Sequence, residues 1–408
     1  MGVPDLRAFR HDEFPRPSDL SRRSLLANAA CGLAGLAVAS AANAGSPTDH
    51  SPDSFLAAQM RAGSIPGLAV GVAQGGRVLW ARGYGMADIA GRRRVTTDSM
   101  FHIASVTKTV TATGIMMLVQ EGRIALDAPV NRYLDFSVTN PATPEVPITV
   151  RHLLMHMSSI SDETYYNVDF RTPGRDASIA LGAFLRSYLV LGGAHYASEG
   201  SFSKRAPGTA YDYSNVAYGL LGYVGGRVAG TDFRTYLGDR LFDRLGMKHM
   251  SWTLEGVPAR LRVVPYDVDD RALVPIAPVG FPDWSAGMLR ASISSFMPFV
   301  AASANRGVAG RARILDEAFM AQMLDMRVLP GLPSWLTGQG LGWMASADGG
   351  TPHINHWGGD PGVFTAAYLD PVSTTGIAIF ANVSATDASK AAIKAIARYL
   401  LDGTRGVA

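Results

Sequence analysis

The spacing of hydrophobic and polar residues predicts two stretches of β-structure, one toward each end of the chain. Residues 68 to 74 and 77 to 83 are short β-like runs, and Gly75-Gly76 between them indicates a two-residue hairpin. The pattern returns toward the C-terminus, where strands are predicted at 340 to 346, 353 to 357, 363 to 369 and 375 to 382. Asp370-Pro371 marks the turn between the last two of these strands.

Helical periodicity fills the region between the two stretches. A helix is predicted from Ser105 to Gln120, and Gly122 just beyond its end is a typical stop signal. Shorter helices are predicted at 149 to 157, 176 to 190, 214 to 229, 231 to 245, 292 to 305 and 315 to 326, separated by loops rich in Gly and Pro. Two further helices, at 53 to 62 and 386 to 401, lie beside the β regions.

This order of elements predicts an α/β fold of the α+β type. One antiparallel sheet would be built from both ends of the chain and flanked by the terminal helices, with an all-helical domain inserted between its two halves. We therefore expect residues 45–104 and 331–408 to form an α/β sandwich domain, and residues 105–330 to form a mainly helical domain.

The first 44 residues have the features of an export signal. Arg22-Arg23 precede a mildly apolar run from Leu25 to Ala42, a pattern typical of a bacterial twin-arginine signal peptide. Ala42-Asn43-Ala44 supplies the small residues that signal peptidase accepts, which predicts cleavage after Ala44 and a periplasmic or secreted product. A membrane anchor is the alternative, but small residues dilute the apolar run, and cleavage is the better interpretation.

Composition excludes several classes of protein. The 408 residues are 47% hydrophobic and 17% charged, which is ample for a buried core, and the net charge of +3 makes nucleic acid a poor partner. Cys31 is the single cysteine, so a disulfide framework and a cysteine metal site are excluded. His152 and His156 stand four apart without a third ligand at a recognisable spacing, and we expect neither a metal nor another cofactor.

Two Ser-x-x-Lys motifs are the first candidates for catalytic chemistry. The chain lacks His-Glu-x-x-His, a phosphate-binding loop and the Gly-x-Ser-x-Gly elbow, to which Ser285 is the nearest approach. The motif occurs at Ser105 to Lys108 and again at Ser201 to Lys204. Lys204 lies in a polar stretch beside Arg205, where a solvated lysine is expected, whereas Lys108 begins a segment that is apolar or small on every face.

The context of Lys108 favours a catalytic role. Residues three apart share one face of a helix, so the lysine reaches the hydroxyl of Ser105. No Asp or Glu lies within four positions of Lys108, and burial without such a partner lowers a lysine pKa. Ser105 in the first helical turn would also have a backbone N–H available for an oxyanion. The structural alternative is a capping serine with a lysine that reaches the surface.

Two further motifs complete the set of candidate residues. Tyr213-Ser214-Asn215 offers a tyrosine that could pass a proton if its pKa were depressed, and an amide that could hold a substrate carbonyl. His356-Trp357-Gly358-Gly359 ends a β-like run, where glycines allow a ligand to approach the backbone and the N–H of Gly359 could be a second oxyanion donor. Each motif alone is also compatible with ordinary core packing.

Taken together, these motifs resemble those of the serine β-lactamase and penicillin-binding protein superfamily, especially its class C-like branch of family VIII esterases, D,D-carboxypeptidases and D-aminopeptidases. Ser-x-x-Lys, Tyr-x-Asn and Lys/His-x-Gly occur in that order at 105, 213 and 356. Three other stretches are similar to the family, at 148–160, 207–215 and 285–292.

The resemblance implies an acyl-enzyme mechanism. Ser105 would be the nucleophile, Lys108 and Tyr213 the proton-transfer network, and the N–H groups of Ser105 and Gly359 the oxyanion hole. Asn215 and the His356 to Gly359 segment would bind substrate. The fold it implies, a sandwich with an all-helical domain, agrees with the element order. Sequence leaves open whether Lys108 or Tyr213 takes the first proton.

The third motif departs from the family pattern. Members that act on β-lactams usually carry Thr or Ser where this chain has Trp357, and an alternative register would begin the motif at Trp357 itself. We expect weakened carboxylate binding and an indole wall that favours small esters. The leading hypothesis is an exported hydrolase of small esters or amides. The alternatives are a β-lactamase or D,D-carboxypeptidase or D-aminopeptidase, and a non-catalytic penicillin-binding-like module.

Overall fold

The computed structural model describes residues 51–270, 272–348 and 351–405. The predicted signal peptide at 1–44 lies outside these residues. Among the helices of the described ranges, none has both the length and the apolar character needed to cross a bilayer.

The strands form one large sheet and several small ones. In chain order they are β1 (Gly67–Gln74), β2 (Arg77–Asp88), β3 (Arg93–Arg94), β4 (Met100–His102), β5 (Thr172–Pro173), β6 (Met250–Ser251), β7 (Tyr266–Asp269), β8 (Ala272–Pro275), β9 (Val279–Gly280), β10 (Arg290–Ser292), β11 (Val308–Ala309), β12 (Ala312–Arg313), β13 (Leu336–Gln339), β14 (Met344–Asp348), β15 (Thr351–Asp360), β16 (Val363–Asp370) and β17 (Thr375–Ala381).

Most of the helices lie between β4 and β13. The α-helices are α1 (Pro52–Ala62), α2 (Thr107–Gln120), α3 (Val150–Leu154), α4 (Glu163–Val168), α5 (Leu181–Leu189), α6 (Asn215–Ala229), α7 (Phe233–Leu237), α8 (Asp243–Leu245), α9 (Trp284–Gly287), α10 (Ile293–Ala304), α11 (Glu317–Met323) and α12 (Asp387–Arg405).

The large sheet is assembled from both ends of the chain, which confirms the predicted fold class. Its eight strands follow the order β13-β14-β15-β16-β17-β1-β2-β3, and each pair of neighbours is antiparallel. The predicted hairpin between β1 and β2 is present, and Gly75 and Gly76 adopt φ values of +58° and +71°. Two positive φ values are what a type I′ turn requires, and glycine adopts them without strain.

Apolar side chains cover both faces of this sheet. In β1, Leu68, Val70 and Val72 contact α1 and α12 on one face, which we call the outer face. Ala69 and Ala73 point to the opposite face and pack with the helical region, and we call this the inner face. The period of two along a strand thus divides one short segment between two cores.

Helix α2 lies at the centre of the inner core, and its residues from Thr107 to Leu118 are all buried. Its threonines satisfy their hydroxyl groups locally or on a neighbour. Thr109 donates to the carbonyl of Val106, and Thr111 donates to that of Ser285, each within 2.8 Å. A helix with small and apolar residues on every side can be enclosed in this way.

The middle of the chain is less regular than its hydrophobic pattern predicts. The helix expected at 176 to 190 spans only Leu181–Leu189, and that expected at 231 to 245 is interrupted by a π-turn at Gly238–Phe242. Short strands also occur here, among them β10, which pairs with both β4 and β6. These pairings depend on residues distant in sequence, which local periodicity does not register.

Candidate active site

Ser105 lies at the junction between β4 and α2. Ala104 before it has a φ of +46°, and Ala104–Val106 form one 3₁₀ turn that leads into α2. A residue other than glycine in this conformation costs roughly 1–3 kcal/mol, and such strain concentrates at functional sites. The turn leaves Ser105 partly exposed, and its N–H lies at the start of the helical segment, where no intrahelical acceptor is available.

Lys108 is fully buried one turn after Ser105. Its Nζ lies 3.2 Å from Ser105 Oγ, 2.7 Å from Asn215 Oδ1 and 2.8 Å from the carbonyl oxygen of Ala286. None of these partners is a carboxylate. Burial therefore dominates and lowers the pKa of Lys108 from 10.5 to about 8, although more distant carboxylates oppose the shift.

The second Ser-x-x-Lys motif has a different environment. Ser201 is buried, and its hydroxyl accepts a hydrogen bond from the N–H of Ala197. Lys204 is 76% exposed and pairs with Glu199 at 3.0 Å. The structure thus separates the two motifs as their sequence contexts predict, since only the first encloses its lysine.

Tyr213 lies beside Ser105 and Lys108, with its ring centroid 4.8 Å from the lysine Nζ. Burial raises the pKa of Tyr213 above its ordinary value of 10.0, and a hydrogen bond with the Ser105 side chain opposes this shift. The suggestion of a depressed tyrosine pKa is therefore wrong. At neutral pH the side chain is a phenol, because the buried anion would be poorly solvated.

The Tyr213 ring rests on His156, a contact that the sequence analysis did not find. The two rings stack with their centroids 4.2 Å apart and their planes inclined by 26°, and His156 Nδ1 accepts a hydrogen bond from the N–H of Ser214 at 3.2 Å. His152 instead accepts from the N–H of Thr149 at the start of α3. The two histidines therefore serve different parts of the fold, and no metal-binding group of three His, Cys, Asp or Glu occurs in the described ranges.

Asp162 holds the start of α6 in place. Its carboxylate is buried and accepts hydrogen bonds from the Ser214 hydroxyl at 2.7 Å and from the N–H groups of Asn215 and Val216 at 2.6 and 3.2 Å. A carboxylate at a helix N-terminus satisfies otherwise unpaired N–H groups. Sequence analysis missed Asp162, which lies two residues after a family-like stretch and 52 residues before Ser214.

Both the oxygen and the nitrogen of the Asn215 side-chain amide form hydrogen bonds with other residues of the protein. Its Oδ1 accepts from Lys108, and its Nδ2 donates to the hydroxyl of Tyr166 at 3.0 Å. The Lys108 ammonium can only donate, so the carbonyl end of the amide faces the lysine, and Nδ2 is left to donate to Tyr166. The structure thus gives Asn215 a positioning contact with Lys108, in addition to the substrate contact that the sequence predicted.

His356 and Gly358 lie on the inner face of β15, as their partners Ala367 and Thr365 on β16 do. His356 is buried, and its Nδ1 is 2.8 Å from the carbonyl oxygen of Trp357. A Cβ atom on Gly358 would lie 2.3 Å from the carbonyl oxygen of Ile103 and 3.0 Å from the nitrogen of Ser105. Glycine is therefore required where β15 meets the turn, which favours the register that begins at His356.

The direction of the backbone groups along β15 follows from Pro352. Proline has no N–H, so its pair with Ala347 on β14 is one of the non-hydrogen-bonded pairs of the ladder. Because bonded and non-bonded pairs alternate, the odd-numbered residues of β15 direct their N–H and C=O groups toward the β14 side. Gly359 is one of these residues.

Strand β14 does not extend as far as Gly359. Its first residue, Met344, pairs with Asn355, so within the described residues no strand pairs with the edge of β15 at Gly359 on the β14 side. Gly358 packs this edge against the turn of Ser105. The backbone N–H groups of Ser105 and Gly359 are thus placed on neighbouring segments that border one space, as two donors to a single oxygen require.

Trp357 does not line this space, and the expectation of an indole wall is wrong. Its side chain points to the outer face, where its Nε1 donates to the Tyr368 hydroxyl at 2.8 Å and its ring stacks on Trp335. Lys394 of α12 lies over the same ring, 4.5 Å from its centroid. Adjacent residues of a strand face opposite sides, so Trp357 points away when His356 and Gly358 point inward.

Comparisons with known proteins agree with this fold. The family model described as "Beta-lactamase" matches residues 52–401. Penicillin-binding protein 4 of Amycolatopsis lactamdurans is 28% identical over 80% of this chain and 79% of its own length. Esterase EstB of Burkholderia gladioli is 30% identical over 52% of this chain and 53% of its own length.

A solved structure shows the same fold over nearly the whole described chain. D-amino acid amidase from Ochrobactrum anthropi SV3 superposes with a TM-score of 0.68 at 22% identity, covering 87% of this chain and 99% of that structure. Among curated relatives, the chain spans about half the length of EstB, at 53%, and 41% of the Staphylococcus aureus (strain MW2) protein flp.

Proposed function

The chain belongs to the β-lactamase family of serine hydrolases, and we propose that it cleaves small esters and amides through an acyl-enzyme formed on Ser105. Esterase EstB, which is 30% identical over the matched region, supports this proposal.

The observation that carries the proposal is the set of contacts of Lys108. Asn215 Oδ1 and the Ala286 carbonyl oxygen can only accept hydrogen bonds, so they take two N–H groups of a neutral amine. The remaining position on Nζ then faces Ser105 Oγ at 3.2 Å with a lone pair. Lys108 in this form accepts the hydroxyl proton as Oγ attacks the substrate carbonyl.

Tyr213 completes the proton path as a neutral phenol. Its hydroxyl shares a hydrogen bond with Ser105, and its raised pKa disfavours the anion as the resting base. We assign the first proton transfer to Lys108 for this reason. When the tetrahedral intermediate collapses, the bond to the leaving group breaks, and that group takes a proton delivered from Lys108 through Tyr213.

Backbone N–H groups supply the remaining stabilisation. As the carbonyl carbon becomes tetrahedral, its oxygen gains negative charge, which the N–H groups of Ser105 and Gly359 bind. Water then attacks the acyl-enzyme, transfers a proton to Lys108, and releases the acid while Oγ regains its hydrogen. No cofactor takes part in this scheme.

Small esters and amides are the proposed substrates because the third motif presents no hydroxyl to a substrate carboxylate, and a threonine at position 357 would also point to the outer face. Trp357 stands where related β-lactam-binding proteins carry Thr or Ser, and its side chain lies on the outer face. A lost hydrogen bond to a charged carboxylate is worth about 1.5–3 kcal/mol. Activity as a β-lactamase or D,D-carboxypeptidase is the second candidate, and the similarity to penicillin-binding protein 4 favours it.

A panel of substrates distinguishes the candidates in one purified sample. We expect kcat/KM for p-nitrophenyl butyrate to exceed that for a chromogenic cephalosporin at pH 7.5. A preference for the cephalosporin would favour the second candidate. Lys204→Ala is the matched control for Lys108→Ala, because it removes the exposed lysine of the other Ser-x-x-Lys motif.

The site of action is proposed to be the periplasm or the exterior of the cell. Support comes from Arg22-Arg23 and from the Ala42-Asn43-Ala44 cleavage site. N-terminal sequencing of exported material should begin at Gly45. Recovery of the chain only from the cytoplasm, with Arg22 and Arg23 retained, would contradict export.

A further inference from the structure

Asp360 is a carboxylate at the candidate site that the proposed mechanism does not use. It is the last residue of β15 and pairs with Val363 across the turn at Pro361-Gly362. The alternation along β15 places it on the inner face with Gly358, the face that meets the turn of Ser105. It directly follows Gly359, the proposed second oxyanion donor, and 18% of its side chain is exposed.

The group nearest to this carboxylate does not neutralise it. His102 Nε2 lies 3.5 Å from Asp360 Oδ2, but it also lies 2.7 Å from the carbonyl oxygen of Gly287, which must receive its hydrogen. Burial and the charge of Arg290 lower the pKa of His102 to about 3, so the imidazole is neutral. The structure shows no hydrogen bond to Asp360 within the described residues.

Other charges act on Asp360 only from a greater distance. Arg290 directs its guanidinium to the carbonyl oxygens of Met288 and Val279, and Arg171 pairs with Asp169 at 2.7 Å. Burial is the largest influence and raises the pKa of Asp360 to about 7, with Lys108, Asp283, Arg171 and Arg290 as the charged groups that modify it. Buried charges in proteins are ordinarily paired, so Asp360 lacks the partner that its position calls for.

We infer that Asp360 binds a cationic group of the substrate, and that the preferred acyl donors carry an ammonium beside the scissile carbonyl, as amino-acid amides and esters do. The inference rests on the proposed acyl-enzyme function. In the acyl-enzyme scheme, the oxygen of the scissile carbonyl binds to the Gly359 N–H. A substituent on the substrate carbon next to that carbonyl then lies within reach of Asp360, the next residue of β15. The same carboxylate repels substrates that carry a carboxylate there.

Two isosteric substrates test this charge preference directly. Alanine p-nitroanilide and isobutyryl p-nitroanilide differ only in the exchange of an ammonium for a methyl group. We expect the wild-type enzyme to have a kcat/KM at least about tenfold higher for the better alanine enantiomer, which corresponds to one hydrogen bond to a charged group. The ratio is independent of the fraction of active enzyme, because both rates come from one sample.

The variant Asp360→Asn should bring this ratio close to one. Asp325→Asn, which removes a carboxylate that is 54% exposed and paired with Arg327, is the control and should retain the wild-type ratio. An equal rate for the two anilides in the wild type, or an unchanged ratio in Asp360→Asn, would overturn the inference. If the wild type cleaves neither anilide nor p-nitrophenyl butyrate, the proposed function itself has failed.

A second measurement needs no variant and decides the matter if Asp360→Asn does not fold. Between pH 5.5 and 7.5 the wild-type ratio should rise, because Asp360 ionises near pH 7 and only its anion attracts ammonium. The titration of Lys108 affects both substrates and cancels in the ratio. A ratio that stays constant over this interval would contradict the assignment to Asp360.

Discussion

The behaviour of Lys108 depends on two uncharged acceptors more than on the serine beside it. An ammonium has three N–H groups and would donate to Ser105, Asn215 and Ala286 alike. A neutral amine has two, and the two oxygens that cannot donate bind both of them. The same three contacts therefore fit both protonation states of Lys108. The ammonium donates to all three oxygens, and the neutral amine directs its lone pair to the Ser105 hydroxyl.

The pH dependence of kcat/KM follows from this arrangement. Burial lowers the pKa of Lys108 to about 8, so the neutral base predominates above that pH and is lost as the pH falls. We expect kcat/KM for p-nitrophenyl butyrate to rise with pH up to about 8 and then level off. Ser105→Ala supplies the blank for spontaneous hydrolysis. A constant kcat/KM from pH 6 to 9 would exclude Lys108 as the titrating base.

Replacement of the lysine by arginine tests the same residue in another way. Guanidinium remains protonated in proteins, so Lys108→Arg keeps a cation but removes the proton acceptor. We expect kcat to fall by about 10²- to 10⁴-fold, the usual contribution of general base catalysis. Lys204→Arg should have nearly wild-type kcat, and a similar loss in both variants would show that the effect is not specific to Lys108.

The site residues that the sequence predicted lie close together within each motif along the chain, whereas those that it did not predict come from distant segments. Ser105 and Lys108 are three positions apart on one turn, so local spacing brings them together. Asp162, His156 and Tyr166 reach the site across loops, and no periodicity links them to Tyr213 or Asn215. The raised pKa of Tyr213 is likewise a consequence of burial by distant segments, which the motif alone does not indicate.

Strand β15 has a different role on each of its two faces. His356 and Gly358 meet the Ser105 turn, whereas Trp357 joins the sheet to α12 through Tyr368, Trp335 and Lys394. The motif spacing identified the segment correctly but not the direction of each side chain. Strand alternation contains that information, because the close approach at Gly358 determines which neighbours must point outward.

Trp357→Thr should therefore affect stability rather than substrate choice. Removal of a large buried aromatic side chain typically lowers the free energy of unfolding by about 3–5 kcal/mol, and threonine restores little of the lost packing. We expect a lower midpoint in urea denaturation and an unchanged ratio of ester to cephalosporin kcat/KM. A changed ratio with wild-type stability would mean that the indole reaches the substrate.

The two ends of the chain meet in one sheet, and the turn that carries Ser105 lies against it. The short β-like runs near both termini predicted this sheet, because strands buried on both faces are apolar at nearly every position. The region from 105 to 330 was predicted only as mainly helical. Its short strands and shortened helices arise from contacts between distant segments, which hydrophobic spacing does not contain.

Covalent labelling identifies the nucleophile, since the acyl-enzyme proposal requires Ser105 and no other serine. The wild-type protein, treated with a fluorophosphonate and digested, should carry the added mass on the peptide that contains Ser105. Ser105→Ala should lose both the label and ester turnover, whereas Ser201→Ala, which alters the second Ser-x-x-Lys motif, should retain both. Labelling of a different serine, or continued turnover by Ser105→Ala, would contradict the assignment of Ser105 as the nucleophile.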